Sequence, residues 1–327
     1  SNTTRLVIKP IKSLSRTADF TYRLYQTRNT SRSNNMSYRE YPDAEMSVYA
    51  TGAGANRLDE SVNTSNYYST NAYANFEDTF NGMHHLTAVA GLNYETLRKK
   101  KISAYGEYLS STTLDDLNLV GQNPEGQTIT GVGGGQNEYA LMGFFGRINY
   151  DYKGRYLFEV SGRYDGTSRF ASDSRWGFFP SGSVGWRISE EPFFKSARNV
   201  IDNLKLRGSY GSLGNQNVSS YYTFVRTISI NDFSAYSFGE GSAMAKYSTL
   251  GAPLASNLTW ETAKQWDLGI DLTMLDNRLN ITLDGYIRNT VNMLTDGVEL
   301  PAVYGASVPD MNTANLRTKG YELSIVW

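Results

Sequence analysis

Few side chains in this chain of 327 residues are equipped for chemistry. His84 and His85 are the only histidines. Joint metal ligation would need both imidazoles on one ion, but neighbours in a strand point to opposite faces, so the pair suits an interfacial polar role beside a short turn. The run Gly131 to Gly135 offers the bare backbone of which phosphate cradles are made. It lacks the following Lys-Ser/Thr and the strand-to-helix setting, and is expected to be a flexible loop tip. The acidic pairs Asp59-Glu60, Asp115-Asp116 and Glu190-Glu191 fall in stretches that read as loops or turns, where solvated charge is the default. No elbow motif supports Ser-His-Asp chemistry. With Cys at 0, disulfides and thiolate metal sites are impossible. The chain is therefore expected to have no catalytic residues, no cofactor and no metal, and not to be an enzyme.

Two other groups remain. Tyr221, Tyr222, Phe233, Tyr236 and Phe238 cluster in the long polar stretch Gly214 to Asn257, where aromatic faces suit sugar rings or peptide side chains. Packing between loops, or against a lid protein, is the alternative use for such rings. The second group is a row of charges, Arg147, Asp151, Arg163, Asp165, Arg187, Arg207, Asp267 and Asp271, whose spacing depends on the elements that carry them.

Those elements are strands. Aromatic residues make up 13%, with Tyr at 24, and Gly at 30 far exceeds Pro at 8, a balance that favours strands and turns over helices. Split by the two-residue period of a strand, about eleven segments separate into an apolar and a polar face. Ala140, Met142, Phe144, Gly146, Ile148 and Tyr150 oppose Arg147, Asn149 and Asp151. Trp266, Leu268, Ile270, Leu272 and Met274 oppose Asp267 and Asp271. Similar splits run through Thr17 to Arg28, Leu86 to Glu95, Tyr156 to Asp165, Gly182 to Ile188, Leu204 to Tyr210, Leu279 to Ile287 and Tyr321 to Trp327.

Charges kept to one face are what a bilayer enforces, since Lys or Arg on the lipid face near the midplane costs roughly 2–4 kcal/mol. A soluble sheet also alternates, but Asn66 to Phe80 and Trp260 to Met274 far exceed the ~5–6 residues usual there. A mean hydropathy of -0.45 and the absence of any run of about 18 apolar residues exclude spanning helices and leave a strand barrel open. A formal net charge of -1 gives no ground for nucleic-acid binding.

Connection lengths point the same way. Short turns are expected at Phe80-Asn81-Gly82-Met83, Tyr152-Lys153-Gly154-Arg155 and Leu275-Asp276-Asn277-Arg278, and long loops at Asn29 to Asn63, Ser110 to Asn137, Gly214 to Asn257 and Thr295 to Asn315. An intermediate connection, Ser189 to Asn203, has room for a short helix. Tyr156 and Tyr164 lie on one face with roughly 20 Å of height between them at ~3.3 Å per residue and ~40° tilt, close to the ~25 Å of an apolar band with its aromatic girdles. The fold class is thus an all-β transmembrane antiparallel β-barrel. Ser1 to Pro10 shows no signal peptide, and Leu6 to Ile8 already reads as strand, so the chain is expected to begin inside a longer one.

The run NYDYKGRYLFEVSGRYDGTSRF (Asn149 to Phe170), then RWGFFPSGSVGWRISEEPFF (Arg175 to Phe194), resembles the barrel hairpins of the SusC/RagA group of TonB-dependent outer-membrane transporters. LKLRGSYGSLGNQ (Leu204 to Gln216), Leu258 to Leu294, LPAVYG (Leu300 to Gly305) and TKGYEL (Thr318 to Leu323) continue the resemblance in the family's order. Ala314 and Thr318 stand where the family commonly has Gly and Asn. The resemblance implies part of a 22-stranded barrel in the outer membrane of a Gram-negative, Bacteroidota-like cell, with residues 1–327 as one partial barrel domain that lacks the family's plug.

It also implies import of glycans or oligopeptides, energy from the TonB complex through that plug, a SusD-like surface lipoprotein as lid, outer-membrane lipid around the wall and no nucleic acid. In that setting the loop aromatics are candidates for substrate or lid contact. The charged row would line the lumen and brace the plug by ion pairs, since such charges cost little where water or protein replaces lipid. A passive porin or adhesin barrel and a soluble surface-binding β-protein are the rival readings.

Overall fold

The computed structural model describes residues 1–34, 36–49, 56–218, 220–237, 244–251, 253–254, 258–297, 301, 303 and 308–327, with the side chains of 36, 48–49, 232–237, 244–245 and 296 outside the description. Its strands are β1 (Asn2–Ile11), β2 (Leu14–Ser33), β3 (Met36–Tyr38), β4 (Ser47–Tyr49), β5 (Arg57–Phe80), β6 (His84–Gly106), β7 (Thr130–Tyr152), β8 (Tyr156–Thr167), β9 (Trp176–Arg187), β10 (Ile201–Asn215), β11 (Ile228–Ser237), β12 (Met244–Leu250), β13 (Glu261–Met274), β14 (Leu279–Asp296) and β15 (Asp310–Val326). Eleven form one sheet in the order β1-β2-β5-β6-β7-β8-β9-β10-β13-β14-β15, so every strand pairs with its neighbours along the chain; β3-β4 and β11-β12 are separate hairpins.

Register makes the two faces continuous. Leu268 stands beside Gly208, which stands beside Val184, then Phe158, then Tyr150. One residue along each strand, Asp267 stands beside Ser209, Ser183, Glu159 and Asn149. A slip of one residue in any strand would exchange these rows, which is why register is so strongly specified. Leu268 is 72% exposed and Phe144 43%, with no second sheet over them among the described residues, whereas the Asp267 side chain is 18% exposed on the opposite face.

Aromatic side chains mark both ends of the apolar face. At the short-turn end the His84 ring lies 5.0 Å from that of Tyr152 and its Nδ1 is 2.8 Å from the Tyr150 hydroxyl. His85 turns the other way, toward Thr79 and Glu77. At the far end Trp176 stacks on Tyr164 at 4.9 Å and lies flat over Gly166, where a Cβ would come within 2.7 Å of the indole. The turns themselves use left-handed residues, Asn81 at φ 52° and Gly82 at φ 64°, as a two-residue hairpin turn requires.

By its contacts the chain divides into two compact units. The first comprises Ser1–Thr3, Thr21–Tyr68 and Thr96–Glu138. Here the structure corrects three expectations. β2, β5 and β7 run on for 20, 24 and 23 residues, so Asn29 to Ser33 and Arg57 to Asn63 of the first expected loop, and Thr130 to Asn137 of the second, are strand. Gly131 to Gly135 belongs to β7 and is no loop tip: at Gly131 a Cβ would come within 2.3 Å of the Tyr105 ring, and at Gly134 within 2.8 Å of the Lys101 carbonyl. Asp59 lies in β5, paired with Arg57 at 2.7 Å. Arg57 also reaches Glu107 at 3.2 Å and covers the Tyr105 ring at 3.8 Å. The remaining connection is tied down by Arg32, which donates to Asn56 Oδ1 at 2.9 Å and to the Ser111 and Leu114 carbonyls.

The second unit comprises Thr4–Phe20, Ser69–Glu95 and Tyr139–Trp327. Its connection between β9 and β10 folds into two short 3-10 helices, Ile188–Glu190 and Pro192–Ala197. Of the pair expected to be solvated there, Glu191 is buried instead. The Tyr156 hydroxyl donates to its Oε1 at 2.5 Å, the Trp186 indole at 3.1 Å, and Arg155 lies 3.6 Å from Oε2. The polar heads of two girdle aromatics thus end on one carboxylate. The Tyr156 hydroxyl, and after it the Trp186 indole, hold that carboxyl below its ordinary pKa.

A group lowered in this way stabilises the fold fully above the ordinary glutamate range and loses that contribution as pH falls through its lowered value. Glu191→Ala in the intact protein is expected to lower the temperature at which the folded band disappears from unheated gels. Glu191→Gln, which still accepts from Tyr156, should fall between, and only variants at this position should lose the acid-side slope. Equal midpoints for all three proteins between pH 4 and 7 would remove the clamp from the account.

Candidate functional site

The polar face is organised around Arg207. This β10 residue stands opposite Gly269 of β13, with Asp267 and Asp271 two residues to either side, and Gly269 in turn stands opposite Asp284 of β14. The guanidinium crosses the bare glycine to donate to Asp284 Oδ2 at 2.7 Å, while its Nε lies 3.2 Å from Asp271 and its Nη1 3.5 Å from Asp267. A Cβ on Gly269 would come within 2.4 Å of Asp284 Oδ1 and 2.6 Å of Arg207 Cζ. Glycine is what allows the bridge. Lys205 stands opposite Asp271 in the same register, so the group holds two cations and three carboxylates, 2 − 3 = −1, with Arg207 as the cation that contacts all three.

The other charges of the row have nearer partners. Arg163 pairs with Asp165 at 2.8 Å and lies over the Phe145 ring at 5.5 Å; Arg147 faces Glu159 at 3.7 Å. Arg187 and Asp151 serve the turns: Arg187 meets Glu190 at 3.3 Å and donates to the Gly154 carbonyl, and Asp151 accepts the Gly154 N–H at 2.6 Å. Two concavities open between these groups. One, of about 340 Å³, is lined by His85, Asp151, Glu159, Lys205, Arg207 and Asp267, and another, of about 490 Å³, by Phe145, Arg147, Arg163, Asp165, Phe179 and Ser212. Among the described residues no three His, Asp or Glu side chains converge as a metal site.

At the long-loop end the second unit has a small core of its own. Phe170, Phe179, Leu258 and Trp260 are buried together, with Val218 and Leu294 against them. Trp260 meets both phenyl rings edge-on, at 5.9 and 5.3 Å, and its indole donates to the Arg175 carbonyl at 3.0 Å. Asn312 of β15 ties this core to the last strand by donating to the Thr259 carbonyl at 3.0 Å.

Tyr221 is drawn into a stack with Tyr139 at 5.5 Å, with Arg169 over both rings at 5.1 and 4.2 Å. Thr223 donates to the Arg169 carbonyl. Tyr222 is 42% exposed and lines a cavity of about 390 Å³ with Thr223, Thr227, Leu258 and Asp310. Phe233 and Tyr236 belong to β11, but their side chains lie outside the described residues, as does all of Phe238. Sequence reasoning missed Arg169, Phe170 and Trp260. Trp260 reads as the first residue of the strand Trp260 to Met274, whereas β13 starts at Glu261; Arg169 and Phe170 follow the alternating segment of β8, where a solvated loop has no use for an arginine beside a large aromatic.

Residues 12–327 match the family model described as "TonB dependent receptor-like, beta-barrel". The chain belongs to this family. It is 33% identical over 275 residues to TonB-dependent receptor P3 of Formosa agariphila, covering 84% of this chain and 26% of that relative. To TonB-dependent receptor SusC of Bacteroides thetaiotaomicron it is 37% identical over 189 residues, covering 57% of this chain and 18% of that one. Among solved structures, the RagAB peptide transporter superposes at a TM-score of 0.80 with 24% identity over 99% of this chain and 33% of that chain, which shows the fold. The chain spans about a quarter of the length of the curated relatives it matches.

The Arg207 cluster makes a charge-balance prediction. Arg207→Met leaves three carboxylates facing one another and is expected to destabilise the barrel by about 1–3 kcal/mol. Adding Asp271→Asn should restore part of the loss, because it removes repulsion that the arginine had screened. Additive losses in the double variant, measured by thermal unfolding in detergent, would show that the four side chains do not act as one group.

Proposed function

We propose that the chain forms part of the wall of an outer-membrane active transporter that imports glycans or oligopeptides with energy from TonB. One observation carries the proposal: within a chain of this family, a contiguous apolar face lies bare while the opposite face carries the paired charges. A bare apolar face of that extent is unstable in water and at home in hydrocarbon. The polar face then lines an interior filled by water and by a plug contributed from outside this chain, and the charged row is available to brace it. The short turns face the periplasm and the long connections the outside.

The substrate class rests on the relatives. One solved neighbour is the RagAB peptide transporter, and SusC itself is a relative of this chain. A surface lipoprotein of the SusD kind would cap the long connections, among whose aromatic residues Tyr222 is the candidate for solute contact. Tyr221, held by Arg169 and Tyr139, positions the segment that carries it.

In cells that express the intact protein, uptake of a labelled oligosaccharide or peptide should vanish when the proton-motive force is collapsed. Steady ion conductance through the intact protein in a planar bilayer would instead make it a passive porin. Tyr222→Ala is expected to weaken solute binding roughly tenfold at unchanged surface abundance, the loss of one stacked ring. Unchanged affinity by calorimetry would remove Tyr222 from the binding surface.

A further inference from the structure

In the second unit, register lays out the wall of the larger concavity, of about 490 Å³, in rows on the polar face. Phe145 stands beside Arg163, which stands beside Phe179. Two residues along each strand, Arg147 stands beside Ser161, then Ser181, then Gly211. Beyond Arg147 that second row is small, and it forms a floor. Ser161 and Ser181 share one hydrogen bond at 2.6 Å, so the pair keeps a hydroxyl hydrogen to donate.

The two phenyl rings supply an apolar wall, but neither presents an open face. Phe145 lies against Gly91, where a Cβ would come within 2.8 Å of it, and under the Arg163 guanidinium at 5.5 Å. Phe179 is buried over Gly177 and Gly214, where any Cβ would run into it, with Trp260 edge-on at 5.3 Å. A sugar ring needs a free aromatic face on which to stack, whereas an apolar side chain needs only a wall. Val89 and the exposed Leu213 complete that wall.

The two arginines differ in what they have left to donate. Arg163 holds Asp165 through Nε at 3.0 Å and Nη2 at 2.8 Å. Arg147 is exposed and makes no hydrogen bond among the described residues, with Glu159 alone within ion-pair distance, at 3.7 Å from Nε. Its terminal nitrogens form a fork of the kind that takes a carboxylate.

We propose that this concavity takes the C-terminal end of a peptide, with the carboxylate on Arg147 beside the Ser161–Ser181 pair and an apolar last side chain against Phe145, Phe179 and Leu213. This rests on the transporter reading above and narrows its solute. Phe179 belongs both to this wall and to the core at the long-loop end, so the concavity adjoins the connections that a solute meets first. That position favours solute over plug as occupant.

The test mixes the intact detergent-purified protein with random tetrapeptides, as free acids and separately as C-terminal amides, and identifies retained peptides by mass spectrometry. Retention should be confined to the free acids and enriched in leucine or phenylalanine at the last position. For the best-retained peptide, calorimetry should show Arg147→Gln weakening binding about tenfold and erasing the difference between acid and amide, with Arg147→Lys recovering part of it. Leu213→Ser should weaken binding about fivefold and leave that difference in place. Lys195→Gln, at the short-turn end, should bind as the unaltered protein does.

Equal retention of acids and amides, retention of neither, or full affinity in Arg147→Gln overturns the proposal. The comparison of acids with amides needs no variant, so it decides the matter even where Arg147→Gln fails to fold. An Arg147→Gln protein that unfolds at lower temperature but binds peptide unchanged gives the concavity to the plug and overturns it too. Retention of a neutral maltooligosaccharide and of no peptide, with uptake that stops when the proton-motive force is collapsed, overturns the subsite and leaves the transporter reading standing. Steady conductance through the intact protein overturns that reading by itself, before any peptide is added.

Discussion

The structure depends on one constraint, the locked register between neighbouring strands. Every strand of the sheet pairs with its neighbours along the chain, so each two-residue alternation is repeated by the next strand at the same level. Leu268, Val184 and Phe158 can then form a single apolar surface while Asp267, Ser183 and Glu159 form a single polar one. A helix would have to bury its backbone and its apolar side chains in the same segment. A sheet separates the two demands, because the backbone pairs within the plane and each face is free to meet a different solvent.

Small residues extend this division into the chemistry. Gly269 lets Arg207 cross to Asp284, and Gly166 lets Trp176 lie flat on the outer surface. In both places a glycine, a weak strand former, is kept where a neighbouring side chain needs its space. Charge behaves differently on the two faces. On the polar face it is paired across strands, as at Arg207 and Arg163, because water or protein there leaves room for polar groups to find partners. On the apolar face it is confined to the ends, where Arg98 follows Thr96 and where Glu191 closes the heads of Tyr156 and Trp186.

Much of this is legible in the sequence, for a physical reason. Where a strand has unlike surroundings on its two sides, alternation is enforced residue by residue, and Phe144 against Arg147 or Leu268 against Asp267 can be assigned without coordinates. The family's ordered motifs lie in those segments. Beyond the apolar band both faces of β5, β6 and β7 are polar, so the period disappears although the strands continue, and Asn29 to Asn63 reads as loop. Gly131 to Gly135 misleads because a glycine run signals flexibility unless the neighbouring Tyr105 is known to lie over it. Glu191 is illegible for a different reason. Its burial comes from Tyr156 and Trp186, which belong to other elements and whose hydroxyl and indole look self-sufficient at an interface.

The loop core changes what the aromatic cluster can do. Rings on a mobile loop pay to be ordered when they meet a solute, and that cost offsets much of what stacking contributes. Here Phe170, Phe179, Leu258 and Trp260 bury one another, and Arg169 binds Tyr139 and Tyr221 into a stack, so the segment around Tyr222 is ordered before any solute arrives. The same packing removes Tyr221 from the set of available faces. One ring is given to rigidity and its neighbour is left exposed beside a cavity. On this argument specificity would follow less from how many aromatic residues the long connection holds than from which of them the core leaves uncovered.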